Sequence, residues 1–327
     1  MLLKLWPQQT NVSFMSARLI GAVISSLLIA SSVFFLATRG LNFGVDFAGG
    51  TVMELEQTDT ITVEAVRSAM PLNADVNSAV GTDARSIVVV KYGEADASVL
   101  GDEFQALSPA EQAERATGAT NELVTSTLKD ALGITDEQIL RNDSVGPKVS
   151  QELFRDGITA LVAALVLMLI YIWFRFEWQF SVGAVAALAH DVIITLGVFA
   201  FLQMEFNLTT IAALLTIIGY SMNDTVVVFD RVREEKRKYK KMPDKEVINL
   251  ALNGTLSRTL LTSGTTLLAL LAIFFLGGPV LRGMSFALIW GVLIGTYSSI
   301  FIASTIVLAL GMDLTKKPVE DVPGFQG

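Results

Sequence analysis

Residues 208–229 read LTTIAALLTIIGYSMNDTVVVF, an apolar run with one charged residue, Asp224. A bilayer core takes ~20 residues of helix to cross, and this run is long enough. An ionisable group inside a span costs about 2.5–3.5 kcal/mol on insertion scales and is a functional candidate with an expected partner. Working outward, five more segments qualify as spans: 18–38, 157–174, 180–202, 260–276 and 284–310. The chain therefore reads as a polytopic α-helical membrane protein with six transmembrane helices. The first apolar run exceeds the ~7–15 residues of a secretory signal and has five spans after it, so it reads as a retained helix. Residues 175–179 join the second and third spans as an antiparallel pair, and a tight turn at 203–207 joins the third to the fourth.

Composition supports this reading. Of 327 residues, 52% are hydrophobic and 17% charged, and the mean hydropathy is +0.53. A soluble chain carries about 25% charged residues. Absence of cysteine excludes a disulfide scaffold, a thiolate metal site and a cysteine nucleophile. The one histidine, His190, excludes a His-rich metal centre. The net charge of −8 divides unevenly: residues 41–155 hold 19 acidic and 8 basic residues, the remainder 13 and 16. Lys and Arg in short loops set orientation. Arg231, Arg233, Lys236, Arg237, Lys238, Lys240, Lys241, Lys245 and Arg258 crowd residues 230–259. That loop is expected in the cytoplasm, with the N-terminus, Arg175 and the tail carrying Lys316 and Lys317 on the same side. Directly after a span, such a cluster reads as a topology signal and a contact with anionic lipid, not as a nucleic-acid surface.

The acidic segment between the first two spans reads as an external α+β domain. Residues 51–56 alternate as a half-buried strand does. Thr62 caps a helix that Pro71 ends, and 76–80 and 86–92 are strands flanking a turn at Gly81, Thr82 and Asp83. Ser108, Pro109 and Glu111 open a longer helix as a capping box, Gly133 ends it, and 137–144 is a last strand. The order β-α-β-β-α-β predicts a ferredoxin-like sandwich. This segment has no His or Cys to build a nucleophilic pair, and no phosphate-binding loop occurs in the chain.

The spans carry their own polar groups. Asp191 stands mid-span beside His190, Asp224 adjoins Asn223, and Arg258 stands at the inner mouth of the fifth span. Gly183, Ala187, Asp191 and Thr195 form one small, polar stripe at helical spacing. Tyr220, Ser221 and Asp224 share a face of the fourth helix, while Arg258, Thr262, Thr265 and Thr266 share one of the fifth. Gly291, Gly295 and Ser299 form a small-residue seam in the sixth. Converging stripes of this kind suit a hydrated interior path for protons or ions. Asp191 and His190 read equally as structural groups, each bonded to a neighbouring helix, and Arg258 as a residue that snorkels to the interface. Residues 244–257 are expected to lie on the membrane as a surface helix with Val247, Ile248, Ala251 and Leu252 on its apolar side.

Several motifs, in order along the chain, resemble the SecD/SecF protein-export family. FGVDFAGGT at 43–51 and VGPKV at 145–149 resemble the motifs at the two borders of its external domain. AHD at 189–191, GYSMNDTVVVFDR at 219–231, RTLLTS at 258–263, FLGGPV at 275–280 and GTYSSI at 295–300 resemble the signature that SecF members carry in their spans. The resemblance implies a SecF-type chain of the RND superfamily, six spans making half of an RND-type bundle. Its layout would be a cytoplasmic segment 1–17, a first helix 18–39, a periplasmic domain 40–155, helices two to six over 156–311 with the basic loop 230–259, and a cytoplasmic tail 312–327. It implies a non-enzymatic inner-membrane subunit that uses the proton-motive force, without cofactor or metal. SecD, the SecYEG translocon, YajC and the translocating preprotein are the implied partners. Asp224 and Arg258 would form the proton pathway, with Asp191, His190 and Asn223 beside them, and Asp46, Phe47, Gly49 and Gly50 the motif of the external domain. Two other classes share the intramembrane carboxylates. An RND exporter of small molecules has a far larger external domain. An intramembrane aspartyl protease needs a carboxylate dyad, whereas Asp191 and Asp224 differ in depth by roughly 9 Å at ~1.5 Å per residue.

Overall fold

The computed structural model describes residues 10–80 and 86–312. The chain opens with α1 (Arg18–Thr38), β1 (Asn42–Phe43) and α2 (Val45–Ala48). The α/β domain follows: β2 (Gly50–Glu56), α3 (Val63–Ala69), β3 (Ala74–Val80), β4 (Ser86–Tyr92), α4 (Asp102–Gln105), α5 (Pro109–Leu132) and β5 (Ile139–Val145). The remaining helices are α6 (Pro147–Arg175), α7 (Trp178–Leu202), α8 (Leu208–Lys238), α9 (Asp244–Leu276), α10 (Pro279–Ser298) and α11 (Ser304–Leu310). A short strand, β6 (Glu205–Phe206), lies between α7 and α8, and a π-helical turn, Ser299–Ala303, joins α10 to α11. Six helical stretches are long and apolar enough to cross a membrane, making this a multi-pass membrane protein.

Local chemistry sets the α/β domain. The Thr62 hydroxyl accepts the Ala65 N–H at the start of α3, and Ser108 with Glu111 forms a capping box at the start of α5. Gly133 closes α5 in the left-handed conformation. Met53, Leu55, Val76, Val88 and Val90 turn one sheet face inward onto Val66, Val124 and Leu128 of the two helices. The sheet is antiparallel with order β3-β4-β2-β5, which is the ferredoxin-like arrangement. Residues 81–85, including the expected turn at Gly81, Thr82 and Asp83, lie outside the described residues, as do Lys316 and Lys317.

The bundle has an inner and an outer set of helices. In their most apolar stretches α7 and α8 bury 56% of residues and the sixth span 44%, against 17% for α1 and α9 and 11% for α6. Small residues permit the tight inner contacts. A Cβ on Gly291 would lie 2.3 Å from Ile217 Cγ1, and one on Gly295 3.1 Å from Ser221 Cβ, so α10 crosses α8 with backbones close together.

The structure corrects two expectations at the basic end of the bundle. The basic loop expected over 230–259 shrinks to 239–243, because α8 continues to Lys238 and α9 begins at Asp244. The basic residues on either side therefore ride on helical extensions: nothing between Phe229 and Lys238 breaks a helix, and Pro243 does. Residues 244–257 do not form a separate surface helix but the first turns of α9. Val247, Ile248 and Ala251 are 0% exposed and Leu252 2%, packed in the cluster that holds Met15, Phe176 and Val232. Arg231 and Asp230, at the apolar boundary, are partly exposed and ion-paired. Arg175 donates to both oxygens of Asp230 at 2.9 and 3.0 Å, Arg231 pairs with the buried Glu235, and Arg233 pairs with Glu177 at 3.1 Å. Arg237, Lys238, Lys240, Lys241 and Lys245 remain exposed.

The segment before α1 is fastened to α9. The Asn253 side-chain amide accepts the Val12 N–H and donates to the Val12 carbonyl, both at 2.8 Å. Asn249 accepts the Met15 N–H at 2.9 Å, and the Met15 side chain is 1% exposed.

Candidate functional site

Asp191 lies mid-way along α7 and is 0% exposed. Its Oδ2 accepts hydrogen bonds from Ser221 of α8 at 2.5 Å and Ser298 of α10 at 2.8 Å. Its Oδ1 lies 2.9 Å from His190 Nδ1. His190 Nε2 lies 3.1 Å from Ser25 Oγ of α1, and Ser25 in turn meets the Tyr297 hydroxyl at 3.0 Å. Tyr297 donates to the Gly21 carbonyl at 2.7 Å. The line of contacts runs from α1 through α7 to α8 and α10.

Asp224, one turn beyond Ser221 on α8, is 8% exposed. The Thr259 hydroxyl of α9 donates to its Oδ1 at 2.6 Å, and the Ser299 hydroxyl to its Oδ2 at 2.5 Å. Successive residues, Ser298 and Ser299, thus serve different carboxylates at the point where α10 gives way to the π turn. Such turns insert a residue into a helix and re-aim the side chains beside them. Tyr220, Ser263 and Thr296 extend the same polar layer, through contacts of 3.2 and 2.8 Å. Hydroxyl donors to a charged acceptor each contribute about 1.5–3 kcal/mol, which offsets part of the cost of a carboxylate inside apolar helices.

The structure gathers Asp191, His190 and Asp224 into this layer and leaves two expected members outside it. Asn223 and Arg258 are exposed on the chain's surface. Arg258 makes no side-chain ion pair with Asp224; Thr259 takes that place. Neighbouring residues on a helix point about 100° apart, so α9 presents one or the other to Asp224. Most of the face expected on the fifth helix is turned away, Thr266 alone of its residues being half-buried. Thr262 and Thr265 are exposed and donate to carbonyls of their own helix, while Thr255, Thr259 and Ser263 point inward. Threonine back-bonding of this kind satisfies a hydroxyl without a partner helix. Asp191 and Asp224 do not bond each other, so the shared-proton dyad of an aspartyl protease is not formed here.

The motif of Asp46, Phe47, Gly49 and Gly50 marks the joint between domain and bundle. Asp46 Oδ2 accepts the Leu208 N–H at 2.9 Å, adding a carboxylate to the first turn of α8. The Phe47 ring packs on Phe154 and Phe206 at centroid distances of 5.5 and 5.9 Å. Gly49 and Gly50 have φ of 74° and 103°, and a Cβ on Gly50 would lie 2.5 Å from the Tyr92 carbonyl oxygen. Strands β1 and β6 pair in parallel, Asn42 with Glu205 and Phe43 with Phe206. No sequence signal announced this bridge, because two-residue strands carry no periodicity. Burial pushes the Tyr92 phenol up to about 12, with the Thr51 hydroxyl pulling the other way. Among the described residues no group of His, Asp and Glu is arranged to hold a metal ion.

Comparison with known proteins gives one consistent result. The family described as "Protein export membrane protein SecD/SecF, C-terminal" matches residues 124–313, and the SecD/SecF GG motif matches residues 34–56. The chain is 46% identical over 313 residues to the protein translocase subunit SecF of Cereibacter sphaeroides, covering 95% of this chain and 93% of that one. It is 40% identical over 306 residues to the SecF of Vibrio alginolyticus, covering 93% and 91%. The crystal structure of SecDF from Thermus thermophilus superposes with a TM-score of 0.76 at 34% identity. That match covers 94% of this chain and 39% of SecDF, so the chain spans about two-fifths of the longer protein's length.

Proposed function

The chain belongs to the SecD/SecF protein-export family, and from that premise we propose that it is a proton-driven accessory subunit of preprotein translocation. The observation that carries the reading is the pair of buried carboxylates, each bonded by hydroxyls from other helices, in a layer crossing the bundle. Asp224 is the proton carrier. Asp191 and His190 hold the adjoining part of the layer, and Arg258 faces a second bundle. One charge crossing a membrane at 100 mV releases ~2.3 kcal/mol, which a protonation cycle at Asp224 converts into movement of the α/β domain. The proton gradient is the energy source, with no cofactor or metal and no enzymatic step. In this reading the protein lies in the inner membrane, its basic end and both termini cytoplasmic and its α/β domain periplasmic.

The partner is SecD. Thr216, Gly219 and Asn223 on α8, with Arg258, Thr262 and Thr265 on α9, form small and polar stripes exposed on spanning helices. Lipid tails offer no hydrogen bonds, and such stripes are where helices pack against one another. The subunit then works beside SecYEG and YajC on the emerging preprotein. Asp224→Asn tests the reading. The variant inserts and assembles with its partner, but gradient-stimulated secretion into proteoliposomes falls at least tenfold; wild-type stimulation overturns it.

A further inference from the structure

A single ion pair joins the four-stranded sheet of the α/β domain to the spanning helices among the described residues. Lys91 Nζ of β4 lies 2.8 Å from Glu205 Oε2 of β6, the two side chains 31% and 36% exposed. Backbone pairing holds both ends. Lys91 stands opposite Val52 of β2 and Asp75 of β3. Glu205 is paired with Asn42 of β1 and stands two residues before Asn207, the N-cap of α8. The Glu205 side chain rests on Gly44, where a Cβ would lie 2.5 Å from Oε1. From Leu208, α8 runs unbroken to Asp224, roughly 24 Å away at ~1.5 Å per residue.

We propose that the Lys91–Glu205 pair is a positioning contact through which the α/β domain and α8 move together, linking the sheet to the protonation of Asp224. The proposal rests on the proton-driven reading above. A half-exposed pair contributes little to folding, so stability does not account for its place at the joint. Asp46 holds the same end of α8, but from the segment that precedes the sheet. Lys91 alone extends the link, by charge, to the central strands of the domain. Its neighbour Tyr92 lies against Gly50, so a shift of β4 also reaches the glycine pair where the sheet begins.

The test uses the full chain with SecD and the translocon in proteoliposomes under a proton gradient. Lys91→Gln and Glu205→Gln insert and assemble normally, and each loses gradient-stimulated secretion at least threefold. The charge-exchanged double variant, Lys91→Glu with Glu205→Lys, recovers most of it. Raising salt in the vesicle lumen weakens stimulation further in the wild type and the exchanged variant than in the Gln variants, because the screening length falls to ~3 Å near 1 M, comparable to the separation of the pair. Wild-type stimulation in both single variants overturns the proposal, as does an exchanged variant with no recovery. Those outcomes are separable from failure of the parent reading, which shows as full stimulation in Asp224→Asn.

Discussion

Ser298 and Ser299 are chain neighbours that bind different carboxylates, one on α7 and one on α8. Their hydroxyls stand where a counter-ion would otherwise be needed, and an alanine at either position leaves a buried oxygen short of a donor. Removing such a donor costs about 1.5–3 kcal/mol, so Ser299→Ala is expected to slow gradient-stimulated secretion at least fivefold. Ser299→Thr, which keeps the hydroxyl, restores most of the rate; equal rates in all three proteins would refute the role. The carboxylates were legible in the sequence because a charge within an apolar run is costly and demands partners, whether its role is structural or functional. Their partners were not. Serine and threonine are ordinary in spans, and whether one faces inward depends on helix rotation. Arg258 illustrates this: it adjoins Thr259, and packing turned the threonine toward Asp224.

At the scale of elements, the α/β domain was the more readable half. Thr62, Ser108, Glu111 and Gly133 each satisfy a helix end that otherwise has orphan backbone groups, so their positions announce boundaries. Helix continuity at the basic end of the bundle was less legible, since charged residues mark the end of an apolar run without ending the helix itself. Strand β4 offers a test of packing. Tyr92 is 4% exposed and donates to Asn121 at 2.8 Å. Its phenol holds its proton up to about 12 in the folded protein, above the usual value of 10.0. The folded state thus keeps a proton that the unfolded chain releases, and the stabilisation is full below pH ~10 and is lost as pH rises through ~12. Denaturant unfolding of the detergent-solubilised chain should lose about 2–3 kcal/mol across that window, and Tyr92→Phe should flatten the loss. An unchanged slope in the variant would contradict the assigned burial.

For the whole molecule, charge and architecture agree. The acidic excess belongs to the segment between the first and second spans, and the exposed cluster Arg237, Lys238, Lys240, Lys241 and Lys245 lies at the opposite end of the bundle. Because the chain has no cysteine, single introduced cysteines report sidedness cleanly. In spheroplasts, a membrane-impermeant maleimide should label Asp59→Cys and spare Lys240→Cys; the reverse pattern would invert the proposed orientation. The spans and their number were legible from apolar length alone. The division into inner and outer helices was not, because every span is apolar and only packing distinguishes lipid from protein as its neighbour. The clasp between Val12 and Asn253 has a consequence in time. Its halves are 241 residues apart in the chain, and synthesis proceeds at about 5–20 residues per second. The segment before the first helix therefore waits on the order of ten to fifty seconds before Asn253 exists to hold it.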